Sequence, residues 1–167
     1  MNDTARVPDD IPIGALISII FRTRLIILNN RLKSVGMSAG QFPVMMYLHR
    51  NQNITQETLA RHFHIDRGTI ARSVKKLEDE GYITRITDPD NRRAVRLFLS
   101  DKGAAVTPEL IRIEQEWEAT VTRSLSGSEK DQYSALLRSV AASGLACIRE
   151  LGEGDYVSLC GSEGGRV

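Results

Sequence analysis

Residues 55–100 constrain the fold of this 167-residue chain more than any other stretch. Apolar periodicity predicts a short helix at 56–63 and, after a tight turn, a second helix at 67–80. Thr55 and Asp66 stand immediately before these helices, where their side-chain oxygens can accept hydrogen bonds from the first free backbone N–H groups. The spacing therefore predicts two helices joined by a turn, each with its own N-cap.

A two-stranded hairpin is predicted directly after these helices. Residues 82–87 and 94–100 have strand-like composition, and the turn sequence Asp-Pro-Asp-Asn lies between them. Arg92 and Arg93 follow at the tip of the hairpin, where neither is needed for a core. Helix, turn, helix and hairpin in this order describe a winged helix-turn-helix, with the hairpin as its wing.

The rest of the chain is predicted to be largely helical, which gives a mainly α fold with a small β-hairpin wing (α+β). The further helices cover about 11–35, closed by Gly36; 39–50, opened by a Ser38–Gln41 capping box; 102–124; and 127–151, opened by a Ser126–Glu129 capping box. The predicted domains are a flexible arm at 1–10, a winged helix-turn-helix lobe at 37–101, a helical dimerisation region at 11–36 and 102–151, and a flexible tail at 152–167.

Composition and charge favour a cytoplasmic protein. Two cysteines are too few for a disulfide framework, and the N-terminus does not resemble a signal peptide. Arginines interrupt the apolar run at 16–28, which is shorter than the roughly 20 residues that span a bilayer, so no membrane partner is expected. The net charge is +3 for residues 1–50, +2 for 51–100 and −4 for 101–167, as expected if one face approaches phosphates.

The helix at 67–80 has an apolar face, predicted to pack on the core, and a basic face. Its donors lie mainly in its first half and its acids, 78–80, lie at its end, which suits a helix that enters the major groove of DNA by its N-terminal half. The predicted DNA contacts are Thr55, Gln56, Arg67, Thr69, Arg72, Ser73, Lys76, Arg92 and Arg93.

A solvated surface is the alternative interpretation of a basic helix taken alone. The projecting arginines of the wing, which suit a narrow minor groove, shift the interpretation toward DNA. Backbone N–H groups at predicted helix starts, near Gln56 and Ala39, are further candidates for phosphate contacts.

The sequence resembles the MarR (multiple antibiotic resistance regulator) family of transcription factors. The similar residues are LEDEGYITR at 77–85, DPDNRR at 88–93, Arg96, Leu99-Ser100 and Lys102-Gly103, within a layout that agrees over about residues 11–151. The resemblance implies a triangular homodimer whose first and last helices intertwine and whose two winged lobes bind an inverted repeat in double-stranded DNA. It also implies a small-molecule or oxidant signal that most often relieves repression.

The wing departs from the family pattern at one position. The family favours an acid where this chain has Asn91, so the customary Asp–Arg pair that braces the wing is missing there. Asp90 and Asp88 are the candidates to replace it, and a looser wing is the alternative.

Both ends of the chain carry more apolar surface than one small lobe can cover. In the first helix Ile13, Ile17, Ile20 and Leu28 share one face, and Ile19 and Ile26 lie nearly opposite. In the last helix an apolar stripe runs from 133 to 151. These surfaces predict a homodimer, and the alternative is a larger monomeric core.

Arg24 and Arg31 fall within the apolar stripe of the first helix, where a charge needs a partner. One interpretation is an ion pair with Glu114 or Glu118, or a position at the rim of the dimer interface. The other is that Arg24 receives an anionic effector, for instance an aromatic carboxylate. The pocket would then be lined by Phe21, Arg24, Met45 and Trp117.

These observations predict a dimeric, sequence-specific DNA-binding regulator, a repressor released by a small-molecule effector. The alternative is a winged-helix protein-interaction module, although such a surface more often carries apolar anchors. No catalytic residue, cofactor or metal site is predicted, since the sequence has no Gly-rich phosphate loop and His62 and His64 lie on different helix faces. Cys147 lies on the apolar stripe, which favours packing over redox sensing.

Overall fold

The computed structural model describes residues 7–88 and 95–151, with side chains through Ile148. The chain divides into two compact units between Ala39 and Gly40. The predicted fold class, mainly α with a small β-hairpin, is confirmed. The elements are α1 (Ile13–Arg31), a 3-10 helix (Leu32–Val35), α2 (Phe42–Arg50), β1 (Ile54–Thr55), α3 (Gln56–Phe63), α4 (Arg67–Asp79), β2 (Ile83–Thr87), β3 (Val95–Leu99), α5 (Asp101–Val121) and α6 (Gly127–Leu151).

The first unit consists of α1 and the short 3-10 helix that continues it. Gly36 ends this run with φ of 68°, a left-handed conformation that glycine adopts without strain, as predicted. Leu28 and Leu32 are fully buried, but the isoleucines nearer the start of α1 are exposed. One part of this helix therefore has a core face, and the other presents apolar surface to solvent.

The second predicted helix begins later than the expected residue 39. α2 begins at Phe42, and Gln41 in its N-cap position has helical backbone angles and makes no side-chain cap. The Gln41 side chain is instead 1% exposed, and its Nε2 donates to Glu80 Oε2 at 2.9 Å. The Gln41 amide therefore forms a buried hydrogen bond with a distant carboxylate, which a local capping pattern does not reveal.

The second unit is built around a small antiparallel sheet packed on helices. The strand order is β1-β3-β2, with Ile54 opposite Leu97 and Ile83 opposite Leu99. Leu97 on the central strand is fully buried, as are Leu59 and Leu77 from α3 and α4. The hairpin of β2 and β3 was predicted, but β1 was not, because two residues are too short to show a strand pattern.

A close backbone contact joins the start of β2 to the start of α5. The Ser100 N–H donates to Tyr82 O at 3.0 Å, and the Ser100 hydroxyl donates to Gly81 O at 2.6 Å. The same hydroxyl accepts from the Gly103 N–H at 3.0 Å and so caps α5, a cap that the sequence pattern did not identify. Gly103 lies so close that an ideal Cβ on it would be 2.0 Å from Tyr82 O.

Gly103→Ala is expected to destabilise the protein, because the added Cβ meets a backbone carbonyl that cannot rotate away. Overpacking of this kind costs about 1–3 kcal/mol, and at roughly 2–4 °C per kcal/mol for a chain of this size the melting temperature should fall by several degrees. Thermal unfolding followed by circular dichroism measures this. Gly14→Ala is the matched control, since nothing lies within 4 Å of its ideal Cβ. Equal melting temperatures for Gly103→Ala and wild type would contradict the close approach.

The last helix starts at the predicted capping box and then presents a bare apolar surface. Glu129 Oε2 accepts from the Ser126 N–H and hydroxyl, both at 2.7 Å, and these bonds lower the pKa of Glu129 below its ordinary value. Further along α6, Leu136, Leu137 and Val140 are 66%, 43% and 52% exposed. α5 runs from Asp101 through Pro108 without interruption.

The helical run Ile13–Val35 is 23 residues long and, by length and composition alone, apolar enough to cross a membrane. The sequence predicted a shorter apolar run, because it counted only the stretch at 16–28. Core helices of water-soluble proteins and signal sequences meet the same criterion, so length does not decide what covers this helix.

Candidate nucleic-acid interface

The helix-turn-helix forms as predicted from α3 and α4, and both predicted caps are confirmed. Thr55 Oγ1 accepts from the Thr58 N–H at 3.1 Å, and Asp66 Oδ1 accepts from the Thr69 N–H at 2.8 Å. His64 ends α3 with φ of 51°, in the left-handed region. Hydrogen bonds from the side chain and backbone of Thr69 lower the pKa of Asp66. The Asp66 cap is therefore complete at neutral pH and is lost as pH falls through that lowered pKa.

α4 carries the predicted division between an inner and an outer face. Ile70, Val74 and Leu77 are buried and form the apolar face that the helical periodicity predicts. Of the predicted DNA contacts on this helix, the cations are exposed and the hydroxyl residues are half-buried; these are Arg67, Arg72, Lys76, Thr69 and Ser73. The outer face of the first three turns is thus accessible to a partner.

The lysines of α4 pair with acids one turn further along the helix. Lys75 Nζ is 3.1 Å from Asp79 Oδ1, and Lys76 Nζ is 3.9 Å from Glu80 Oε1. Pairs of this exposed kind contribute little to stability. They draw the lysine charges toward the C-terminal end of the helix, so the N-terminal turns depend on the arginines.

The two arginines of α4 are held by different partners. Arg67 Nη2 lies 3.1 Å from Glu57 Oε1 of α3, and both side chains are exposed. Arg72 Nη2 donates to Thr69 Oγ1 at 2.8 Å. An ideal Cβ on Gly68 would be 3.6 Å from Arg72 Nη1, so the Arg72 side chain runs back along the helix toward its start. The absence of a side chain at Gly68 leaves room for this conformation.

The start of α3 offers less than the sequence suggested. Thr55 and Gln56 are half-buried, and the Thr55 hydroxyl already accepts from the Thr58 N–H. The backbone N–H of Ala39, predicted as a phosphate contact, lies outside a helix start and donates to Asn29 Oδ1 at 2.8 Å. The prediction for Ala39 was wrong, because its N–H is already engaged and α2 begins at Phe42.

The base of the wing is closed by an ion pair between the two strand ends. Arg96 Nε and Nη2 lie 2.8 and 2.7 Å from Asp88 Oδ2. The Asp88 side chain is 11% exposed, and the Arg96 side chain is 38% exposed. Asp88, one of the two predicted substitutes for the missing brace, is therefore paired with Arg96. The predicted contacts Arg92 and Arg93, with Asp90 and Asn91, lie outside the described residues.

The predicted effector residues are distributed over both units. Phe21 is exposed and Arg24 half-buried in the first unit, whereas Met45 is fully buried and Trp117 half-buried in the second. The effector pocket stays a prediction. Within residues 7–88 and 95–151, no group of three His, Cys, Asp or Glu side chains is placed to hold a metal ion.

Sequence reasoning missed Glu57 and Asn53 as parts of the site. Glu57 pairs with Arg67 across the turn between α3 and α4. Asn53 adopts φ of 63° and its carbonyl accepts from Arg96 Nη1 at 3.5 Å. Asparagine is among the residues that most tolerate positive φ, and this was the available signal.

Comparisons with known proteins agree with this architecture. The family model described as MarR family matches residues 37–95. YybA of Bacillus subtilis, an uncharacterised HTH-type transcriptional regulator, is 37% identical over 125 residues, which cover 74% of this chain and 83% of YybA.

Solved structures extend the likeness to most of the chain. A MarR transcriptional regulator from Methanosarcina mazei is 35% identical with a TM-score of 0.78, over 81% of this chain and 97% of the other. A MarR family regulator from Listeria monocytogenes complexed with 26mer DNA is 25% identical with a TM-score of 0.75, over 94% and 99%. The relatives are named transcriptional regulators and not enzymes. With its winged helix-turn-helix and these matches, this chain belongs to the MarR family of transcriptional regulators.

Proposed function

We propose that the protein regulates transcription by binding an inverted-repeat operator as a homodimer. The observation that carries this proposal is the outer face of α4, where Arg67 and Arg72 are exposed in the N-terminal turns and Asp79 is exposed at the end. A major groove accepts such a helix by its basic end, and the acids stay away from the phosphates. The Listeria relative with the same fold is complexed with DNA.

The contacts of α4 suggest different tasks for its cations. Lys75 and Lys76 each pair with an acid. Their ammonium groups are point charges, which suffice for a phosphate, so these lysines are suited to phosphate contacts. Arg72 donates to the Thr69 hydroxyl, and its charge also interacts with the Asp66 carboxylate at the start of α4, while its remaining donors can serve a base. A guanidinium that is oriented before binding can donate to both O6 and N7 of a guanine. We assign guanine reading to Arg72.

Glu57→Gln tests whether the Arg67 pair limits DNA binding. The change keeps a side chain of the same size and removes a negative charge that faces Arg67. Affinity for any duplex should rise several-fold, and the slope of log affinity against log salt should steepen by about one phosphate contact. Fluorescence anisotropy at several salt concentrations gives both numbers. Glu109→Gln on α5, which removes the same charge from a pair with Arg112, is the control. An unchanged slope would show that Arg67 does not reach a phosphate.

The apolar surface that each unit leaves exposed supports the proposed homodimer. Ile13, Ile17 and Phe21 of α1 are 72%, 47% and 57% exposed, and Leu136 of α6 is 66% exposed. Exposed apolar side chains that repeat along one helix in this way mark an interface. A second copy of the same chain presents the same apolar helices and covers them symmetrically.

A membrane is the other environment that could cover α1. Its apolar run contains Arg22 and Arg24, and an arginine near the centre of a bilayer costs about 2.5–3.5 kcal/mol on insertion scales. A protein interface can accept such arginines at its rim, where water still reaches them. We therefore propose that a second copy of the chain, and not a membrane, covers α1, and that the protein is cytoplasmic.

The proposed regulatory mode is repression relieved by a small aromatic or anionic effector. Its support is the family resemblance and the half-buried position of Arg24 on an apolar helix. Benzoate serves as the probe. If it releases operator DNA from wild type and from Arg24→Ala equally, Arg24 is not its receptor.

A mobility-shift titration with the DNA upstream of the protein's own coding region tests the main proposal. We expect a retarded complex, a footprint over two half-sites about one helical turn apart, and a steep loss of affinity with salt. Binding with equal affinity to scrambled duplexes would reject sequence-specific regulation.

A further inference from the structure

Arg96 contacts two segments that lie on different sides of the central strand. Its Nε and Nη2 hold Asp88 at the end of β2, at 2.8 and 2.7 Å. Its Nη1 reaches the Asn53 carbonyl in the loop between α2 and β1 at 3.5 Å, a long hydrogen bond. One planar guanidinium thus faces a carboxylate with one edge and a backbone carbonyl with another.

The loop that carries Asn53 is tied to β3 by further bonds. The Asn53 N–H donates to Leu97 O at 3.0 Å, and Gln52 Oε1 accepts from the Leu99 N–H at 3.3 Å. The left-handed φ of 63° at Asn53 turns the chain into β1, where Thr55 pairs with Arg96. The position of the loop is therefore set by the strand that also forms the wing.

Both ends of this connection border proposed DNA-binding elements. Asp88 directly follows β2 and is the last described residue before β3. Asn53 precedes the N-cap of α3, Thr55, by two residues. A displacement of the wing base therefore reaches the start of the helix-turn-helix through a single side chain.

We propose that Arg96 is a positioning residue that couples the wing to the start of the helix-turn-helix, so that the minor-groove and major-groove contacts are set together. The inference rests on the proposed DNA binding for its purpose, but the coupling itself is a property of the free protein. The Asp88–Arg96 pair replaces the brace that Asn91 cannot supply.

The free protein tests the coupling without DNA. Asp88→Asn removes the negative charge at the base of the wing. Amide hydrogen exchange then measures the effect at the Asn53 amide, which lies on the other side of Arg96. We expect that amide to exchange about tenfold faster in Asp88→Asn and in Arg96→Gln. Arg96→Lys keeps a charge for Asp88 but has no second edge for Asn53. In this variant the Asn53 amide should exchange faster, and the amides of β2 and β3 should stay protected.

Two results would overturn the coupling. If Asp88→Asn speeds exchange only in β2 and β3, and the Asn53 amide keeps its wild-type rate, the two segments are independent. If every amide of Arg96→Lys exchanges as in wild type, a positive charge at position 96 is sufficient and the two edges of the guanidinium have no role in the coupling. The unchanged exchange of buried core amides shows that each variant is folded.

Operator binding then shows whether the coupling serves DNA recognition. Asp88 is an acid outside α4. Asp88→Asn removes its negative charge, so affinity for DNA should rise if charge alone matters. We expect the opposite, about a tenfold loss on the operator. Arg112→Gln, which removes a guanidinium paired with Glu109 on α5, is the control for Arg96→Gln. Wild type that binds no operator rejects the proposed function, whereas wild-type binding by Asp88→Asn rejects the coupling to recognition alone.

Discussion

Leu136→Glu is expected to convert the proposed homodimer to a monomer at micromolar concentration. Leu136 lies on the apolar stripe of α6 and is 66% exposed in the isolated chain. In a symmetric dimer the substitution occurs twice. Full burial of a leucine contributes about 1.5–3 kcal/mol relative to exposure, so two lost contacts raise the dissociation constant at least about a hundredfold.

Sedimentation velocity from nanomolar to micromolar concentration measures the effect. Ala135→Glu is the matched control, because it adds the same charge to the adjacent exposed residue, on the opposite side of the helix from the stripe. Circular dichroism at the same concentrations establishes that the monomer retains its helices. If Leu136→Glu stays dimeric, α6 is not in the interface; if wild type is monomeric at micromolar concentration, the dimer proposal fails.

Arg72→Ala is expected to weaken operator binding by about tenfold to a hundredfold and to reduce the preference for operator over scrambled DNA. A bidentate pair with guanine contributes about 1–3 kcal/mol of discrimination, and Arg72 is the side chain oriented for it by Thr69 at 2.8 Å. The helix itself should not suffer, since Arg72 is exposed and alanine is a good helix former.

Anisotropy titrations with an operator duplex and a scrambled duplex at one salt concentration separate the two effects. Lys75→Ala should weaken both complexes to a similar and smaller extent, because it removes a phosphate contact. Thr69→Val removes the oxygen that accepts from Arg72, together with the hydroxyl's hydrogen bond to Asp66, and should give an intermediate loss on the operator. Equal losses on both duplexes for Arg72→Ala would assign it to the backbone and not to a base.

Local signals in the sequence were sufficient for most of the winged lobe. Thr55 and Asp66 are caps because their oxygens reach N–H groups three residues away, and such contacts depend only on near neighbours. The inner face of α4 follows from helical periodicity in the same way. These features do not require knowledge of any distant residue.

Features that depend on distant residues were missed or mistaken. Gln41 matched a capping box, but its partner is Glu80, 39 positions away. The pairing of Arg67 with Glu57 and that of Arg96 with Asn53 likewise cross from one element to another. Single-sequence patterns carry no information about which elements meet. For this reason the sequence offered Asp88 only as one of two candidate acids and did not identify Arg96 as its partner.

The two-residue strand β1 also has a consequence for solubility. The strand order β1-β3-β2 places the longer β3 in the centre, so β1 occupies part of an edge that would otherwise offer free N–H and C=O groups. Unpaired strand edges are templates for pairing with other chains and lead to aggregation. On the other side, β2 is only five residues long and carries Arg85, paired with Glu78 at 2.8 Å. A short, charged edge thus opposes association through the wing sheet, although Ile86 beside it is exposed.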